Sequence, residues 1–153
     1  MHSGAEPFDS PDAASLCTAQ QAEMLELYEG EADIGPAREA AMFIEPHGVF
    51  LVLRDDDDRA VGCGGIARFD DTRGEVKRMY VVPEARGRGL GRRLLEELEG
   101  EARRLGYACV VLETGDRQQE AVGLYESTGY ERIPCYPPYD LRELSICYEK
   151  RLT

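Results

Sequence analysis

The segment Pro83-Glu84-Ala85-Arg86-Gly87-Arg88-Gly89-Leu90-Gly91-Arg92 places three alternating glycines between a strand-like run and a leucine-rich helical run. Glycines without side chains let the backbone approach a ligand closely. A helix start presents unpaired N–H groups and the positive end of a dipole, which together suit a phosphate. Arg86, Arg88, Arg92 and Arg93 flank the turn and add positive charge. The chemistry this pattern fits is phosphate binding. It is not a P-loop, because no Gly-Lys-Ser/Thr follows. It is not a dinucleotide fingerprint either, because the third glycine of Gly-x-Gly-x-x-Gly would fall on Arg92.

The elements that must position this turn are readable from punctuation and periodicity. Asp9 or Ser10 as N-cap and Pro11 in the first turn predict a helix to about Tyr28, with Leu16, Ala22, Leu25 and Leu27 in helical spacing. Gly30 to Gly35 should break it, and a short helix near Ala37–Met42 should follow. Val49–Arg54, the acidic turn Asp55–Asp58 and Ala60–Phe69 read as a β-hairpin. Glu75–Val82 reads as a third strand. Leu94, Leu95, Leu98, Ala102 and Leu105 share one face of a helix over Leu90–Leu105, which Gly106 stops. Ala108–Glu113 is apolar enough for a strand covered on both faces. A helix over Gln118–Thr128, a Tyr130–Pro134 run and a strand near Leu144–Glu149 complete the chain. This order gives one α/β domain over residues 1–153, with residues 1–6 flexible and Glu6-Pro7-Phe8 a short, apolar-poor first strand.

The turn and its neighbours resemble the GCN5-related N-acetyltransferase (GNAT) family. Arg86-x-x-Gly89-x-Gly91 is similar to that family's Arg/Gln-x-x-Gly-x-Gly/Ala signature. The likeness runs from KRMYVVP through LETG to AVGLYESTGY, covering roughly residues 60–133. The resemblance implies a mixed, mostly antiparallel twisted sheet of six to seven strands with about four helices on its faces. It implies an acetyl-CoA-dependent N-acetyltransferase, with the donor lying where two parallel strands splay apart. The pyrophosphate would meet the amides of Arg86, Gly87, Arg88, Gly89, Leu90, Gly91 and Arg92. The pantetheine arm would pair with the backbone of Met79, Tyr80 and Val81. Gln118 stands where the family often has a cofactor-contacting Asn.

Tyr125 matches the family's general acid. The chemistry agrees: attack of an amine on a thioester expels a thiolate, and a thiol near pKa ~8.5 can take its proton from a phenol near ~10. Glu113 matches a base position used by some members and Glu75 the other common arrangement, while a water wire without a single base is a third option. The rival to an enzyme is a CoA-binding module without turnover. The resemblance also implies an acceptor site walled by the N-terminal helices and late strands, and a possible homodimer.

Charge and cysteines bound the rest. The 153 residues carry a net charge of −12, which speaks against nucleic-acid and anionic-membrane partners. Between Arg73 and Arg93, however, seven positive residues face two negative ones. Residues 1–45 hold ten Asp/Glu and one Arg, an acidic wall suited to a cationic amine acceptor. Tyr136, Pro137, Pro138 and Tyr139 make a stiff aromatic loop near where acceptors would enter. No membrane-length apolar run is present, and MHSGAEPFDSPD has neither a basic start nor an apolar core, so no secretory signal is expected. Five cysteines without metal or redox spacing predict a cytoplasmic, reduced, metal-free chain.

Overall fold

The computed structural model describes residues 1–29 and 37–153; the expected break at Gly30–Gly35 lies outside them. Val49–Arg54 (β2) and Ala60–Arg68 (β3) form the predicted hairpin, and Arg73–Val81 (β4) adds antiparallel to β3. Cys109–Gly115 (β5) then lies parallel to β4. Ser145–Arg151 (β7) and Glu131–Ile133 (β6) close the far edge with antiparallel pairs. The near edge is His2–Ala5 (β1), paired with β2 from His2↔Arg54 to Ala5↔Leu51. The seven strands run in the order β1-β2-β3-β4-β5-β7-β6.

Two expectations at the N-terminus are corrected here. Residues read as flexible supply β1, and the first strand precedes Glu6-Pro7-Phe8 rather than containing it. The reason is lateral: β2 is buried along five of its six residues and offers an edge that even a polar strand can pair with.

Among the described residues three α-helices cover the sheet, with a 3₁₀ segment at Ala37–Phe43 where a fourth helix was expected. Pro11–Leu27 (α1) starts on Ser10, whose hydroxyl oxygen accepts from the Ala13 N–H at 3.3 Å. Its buried face is Ala13, Leu16 and Cys17, against Phe43, Phe50, Val52 and Cys63. Leu90–Arg104 (α2) buries Leu90, Leu94, Leu95, Leu98 and Ala102 on the other side of the sheet. Gln119–Ser127 (α3) buries Tyr125 beside it. Glu99 of α2 is also buried, and accepts from the Tyr130 hydroxyl at 2.8 Å and the Lys150 ammonium at 3.1 Å.

The cysteine reading also needs correction. Cys135 and Cys147 form a disulfide with their Cα atoms 5.1 Å apart. Their separation of 12 in sequence matches no motif, and the pair meets only because β6 folds back beside β7. Cys17, Cys63 and Cys109 are not disulfide-bonded, and the first two are buried.

Candidate active site

The sheet parts in its middle. β4 and β5 pair only from Arg73↔Cys109 to Val76↔Leu112, and beyond these residues the two strands are no longer registered. The cause lies in β4: Arg78 adopts a left-handed φ of 60°, and the β3–β4 register slips between Cys63 and Gly65. An extra residue in one strand bends it and breaks its ladder. The backbone of Met79–Val81 is thereby turned toward a cleft rather than toward β5.

Above the cleft the glycine turn takes the shape its sequence predicts. Gly87 and Gly89 have φ values of 81° and 75°, a region where a side chain would strain the backbone. Gly89 caps α2 without any side-chain bond, so the first N–H groups of the helix stay open. A cavity of about 600 Å³ lies here. It brings together Met79, Tyr80, Val81, Arg86, Gly87, Gly89, Leu90, Gly91, Arg92 and Gln118 of the expected donor site, but not Arg88. These residues fit a nucleotide thioester: open helix amides for the pyrophosphate, a bent strand edge and apolar walls for the arm.

Arg86 has a second job. Its guanidinium donates to the Val81 carbonyl at 2.9 Å and bonds Glu23 at 2.9 Å. The Tyr80 hydroxyl donates to the same Glu23 at 3.0 Å. Arg86 holds Glu23 below the usual carboxylate range, while burial and then Glu23 push Tyr80 up to about 12. The side chain therefore ties α1 to the turn, leaving Arg88 and Arg92 as the turn cations outside any ion pair among the described residues.

The cavity also contains residues the sequence reading missed: Gln20, Glu23, Met24 and Leu27 of α1, and Arg117. Tyr28 closes the end of α1, its hydroxyl accepting from the Arg117 N–H at 3.2 Å. A Cβ on Gly115 would sit 1.6 Å from that hydroxyl, so the glycine of LETG is required by Tyr28. The signal for α1 was present in its spacing. The face 13-16-17 continues one and two turns on through Gln20 and Glu23, where it becomes polar.

Tyr125, Glu113 and Glu75 do not line this cavity. Glu113 is the first β5 residue beyond the paired region. Burial raises its carboxyl above 4.5, against the opposing pull of the Ser145 hydroxyl, 2.7 Å from Oε2, and of Arg142 and Lys77. Glu75 accepts from the Tyr136 hydroxyl at 3.1 Å and has Lys77 at 3.9 Å; Lys77 in turn donates to the Tyr139 hydroxyl at 3.3 Å. Tyr136 also packs edge-on against Phe69, with centroids 4.7 Å apart. The aromatic loop thus folds onto Glu75.

Tyr125 is 5% exposed and stacks near Tyr130 and Tyr148. Its hydroxyl makes no hydrogen bond among the described residues. Burial, then the charge of Glu113, hold its phenol well above 10.

The acidic wall is less uniform than its sequence. Glu6 and Asp12 bond Arg54, Glu23 bonds Arg86 and Glu45 bonds Arg104, while Glu31 and Asp33 lie outside the described residues. Among the described residues no helix is long and apolar enough to cross a membrane.

A parted mixed sheet with a glycine turn above the gap defines an acyltransferase-type fold. The model of the acetyltransferase (GNAT) family matches residues 15–130, and the chain belongs to that family. A relative named IAA acetyltransferase from Azospirillum brasilense is 45% identical over 104 residues, 67% of each chain. A solved structure assigned as an acyl-CoA N-acyltransferase of Klebsiella pneumoniae superposes with a TM-score of 0.83 at 30% identity, covering 99% of this chain and 97% of the other. A GNAT family acetyltransferase from Elizabethkingia anophelis, solved with acetyl-CoA bound, shares the fold: TM-score 0.69, 16% identity, coverage 99% and 97%. The chain is an N-acetyltransferase, and its general reaction is acetyl transfer.

Proposed function

We propose that the chain moves acetyl from acetyl-CoA to a primary amine, a cationic small molecule or a peptide, by direct attack of the amine on the thioester. The parting of β4 and β5 carries this reading, with a phosphate-suited cavity above it and two carboxylates at its base. The donor's pyrophosphate lies on the turn from Arg86 to Arg92, its arm along Met79, Tyr80 and Val81, with Gln118 beside it. The Glu113 and Glu75 carboxylates draw in the ammonium form of the acceptor.

Glu113 takes the proton that the ammonium must lose, directly or through water. Raised by burial, it is a stronger base than an ordinary carboxylate. Glu75, already bonded to Tyr136 and close to Lys77, holds the aromatic loop rather than accepting that proton. The freed amine attacks the carbonyl carbon, the C–N bond forms and the C–S bond breaks. Tyr125 gives its phenolic proton to the departing sulfur, and the absence of any hydrogen bond to its hydroxyl among the described residues supports the role. The acylated nitrogen sheds its second proton, which reprotonates Tyr125 through solvent, and the proton on Glu113 returns to solvent, closing the cycle.

We place the reaction in the cytoplasm, a reducing compartment in which the Cys135–Cys147 disulfide of the structure would open. Nucleic acid and membrane are not partners in this reading. β6 is the late edge strand through which two copies would pair, which light scattering tests.

The deciding experiment is thiol release over polyamines, aminoglycosides, amino acids and peptides. At least one amine should turn over, and Tyr125→Phe should lower its kcat by about 10²-fold or more. Binding of acetyl-CoA with no turnover of any amine would favour the non-catalytic module.

A further inference from the structure

Gln20 lies one turn beyond Cys17 on the inward face of α1 and reaches into the donor cavity. The two ends of its side-chain amide fare differently. Nε2 donates to the Met79 carbonyl at 3.2 Å. Oε1 is buried in the unliganded chain and has no hydrogen-bond donor among the described residues. Exchanging the two ends would set Oε1 against the Met79 carbonyl, acceptor against acceptor, so the bonding pattern fixes this orientation.

A buried acceptor without a donor costs free energy comparable to a lost hydrogen bond, and such groups are rare unless a ligand supplies the partner. The surrounding atoms show which partner is missing. The outward carbonyls of β4 at the cavity are already engaged, Met79 by Gln20 and Val81 by the Arg86 guanidinium. Met24, Leu27, Ala121 and Leu124 make the nearby lining apolar. A ligand arm crossing this region with secondary amides brings N–H donors to a wall whose unused acceptor is Gln20 Oε1.

We propose that Gln20 is a donor-binding residue, its Oε1 accepting an amide N–H of the pantetheine arm while its Nε2 stays on Met79. The inference rests on acetyl-CoA being the donor. In this arrangement the Gln20 amide acts as an inserted rung between strand and ligand, so α1 extends the edge that the bend in β4 exposes.

Isothermal titration of the full chain tests it with two ligands. Acetyl-CoA has the arm; adenosine 3′,5′-bisphosphate lacks it. Gln20→Ala should weaken acetyl-CoA by about tenfold and leave the bisphosphate unchanged. Gln20→Met, which keeps the length and apolar contacts, should do the same and serves if the alanine variant unfolds. Unchanged acetyl-CoA affinity overturns the proposal, as does tighter binding, which would make Gln20 a plug. Equal weakening of both ligands also overturns it, since the loss would then not lie at the arm. If the unaltered chain binds the bisphosphate but not acetyl-CoA, the donor assignment itself fails, a result distinct from any effect of Gln20.

Discussion

The Ser145 hydroxyl, 2.7 Å from Glu113 Oε2, offsets only part of what burial does to that carboxylate, which stays above 4.5. Folding therefore shifts this carboxyl toward its protonated form. Stability owed to neutral Glu113 is fully present below the ordinary carboxylate range and is lost as pH rises through its raised value. Glu113→Gln, which cannot ionise, should melt higher than the unaltered chain at neutral pH and alike at about pH 4. Its kcat should fall by about 10²-fold, and the acid limb of the rate profile should disappear. A retained acid limb would assign the proton to Glu75 or to water. Tyr125 sets the opposite balance. Its hydroxyl has no bond to lose, so Tyr125→Phe should keep or raise the melting temperature while losing rate. A lower melting temperature would mean that the hydroxyl supports packing.

The elements divide by how locally they are specified. The α2 leucines, the β2–β3 hairpin and the glycine turn were legible because period, turn residues and glycine punctuation act over a few neighbours. β1 was not, because a polar edge strand is made by the strand it pairs with. Gln20, Glu23 and Tyr28 escaped for a similar reason: their roles come from β4 and β5, which are distant in sequence. The Cys135–Cys147 bond escaped because a chain reversal brings the pair together. That bond ties the start of the aromatic loop to β7 opposite Glu113, since Cys147 is the register partner of Glu113. A disulfide closing a loop of this size contributes roughly 2–4 kcal/mol by the chain-entropy account. Cys135→Ser should thus lower the melting temperature under oxidising conditions and leave it unchanged in excess thiol reductant. Equal stability in both would show that packing of Tyr136 and Tyr139 alone holds the loop.

At the scale of the whole molecule, the net charge of −12 and the basic stretch act in opposite senses on a phosphorylated donor. Much of the stretch is spent internally: Arg73 pairs with Asp70 and Glu149, Arg86 with Glu23 and Arg93 with Glu97. Arg88 and Arg92 make no ion pair among the described residues, and of the two Arg92 lines the cavity. If these near cations govern binding, acetyl-CoA affinity should fall as ionic strength rises from about 0.01 to about 0.15 M and the screening length shrinks from ~30 to ~8 Å. An affinity that rises instead would mean that repulsion by the acidic remainder prevails. The gap between β4 and β5 has a consequence for the order of events. In the proposed direct transfer, donor and acceptor must occupy the site together, meeting where β4 and β5 part. Initial-rate lines at several acceptor concentrations should therefore intersect rather than run parallel.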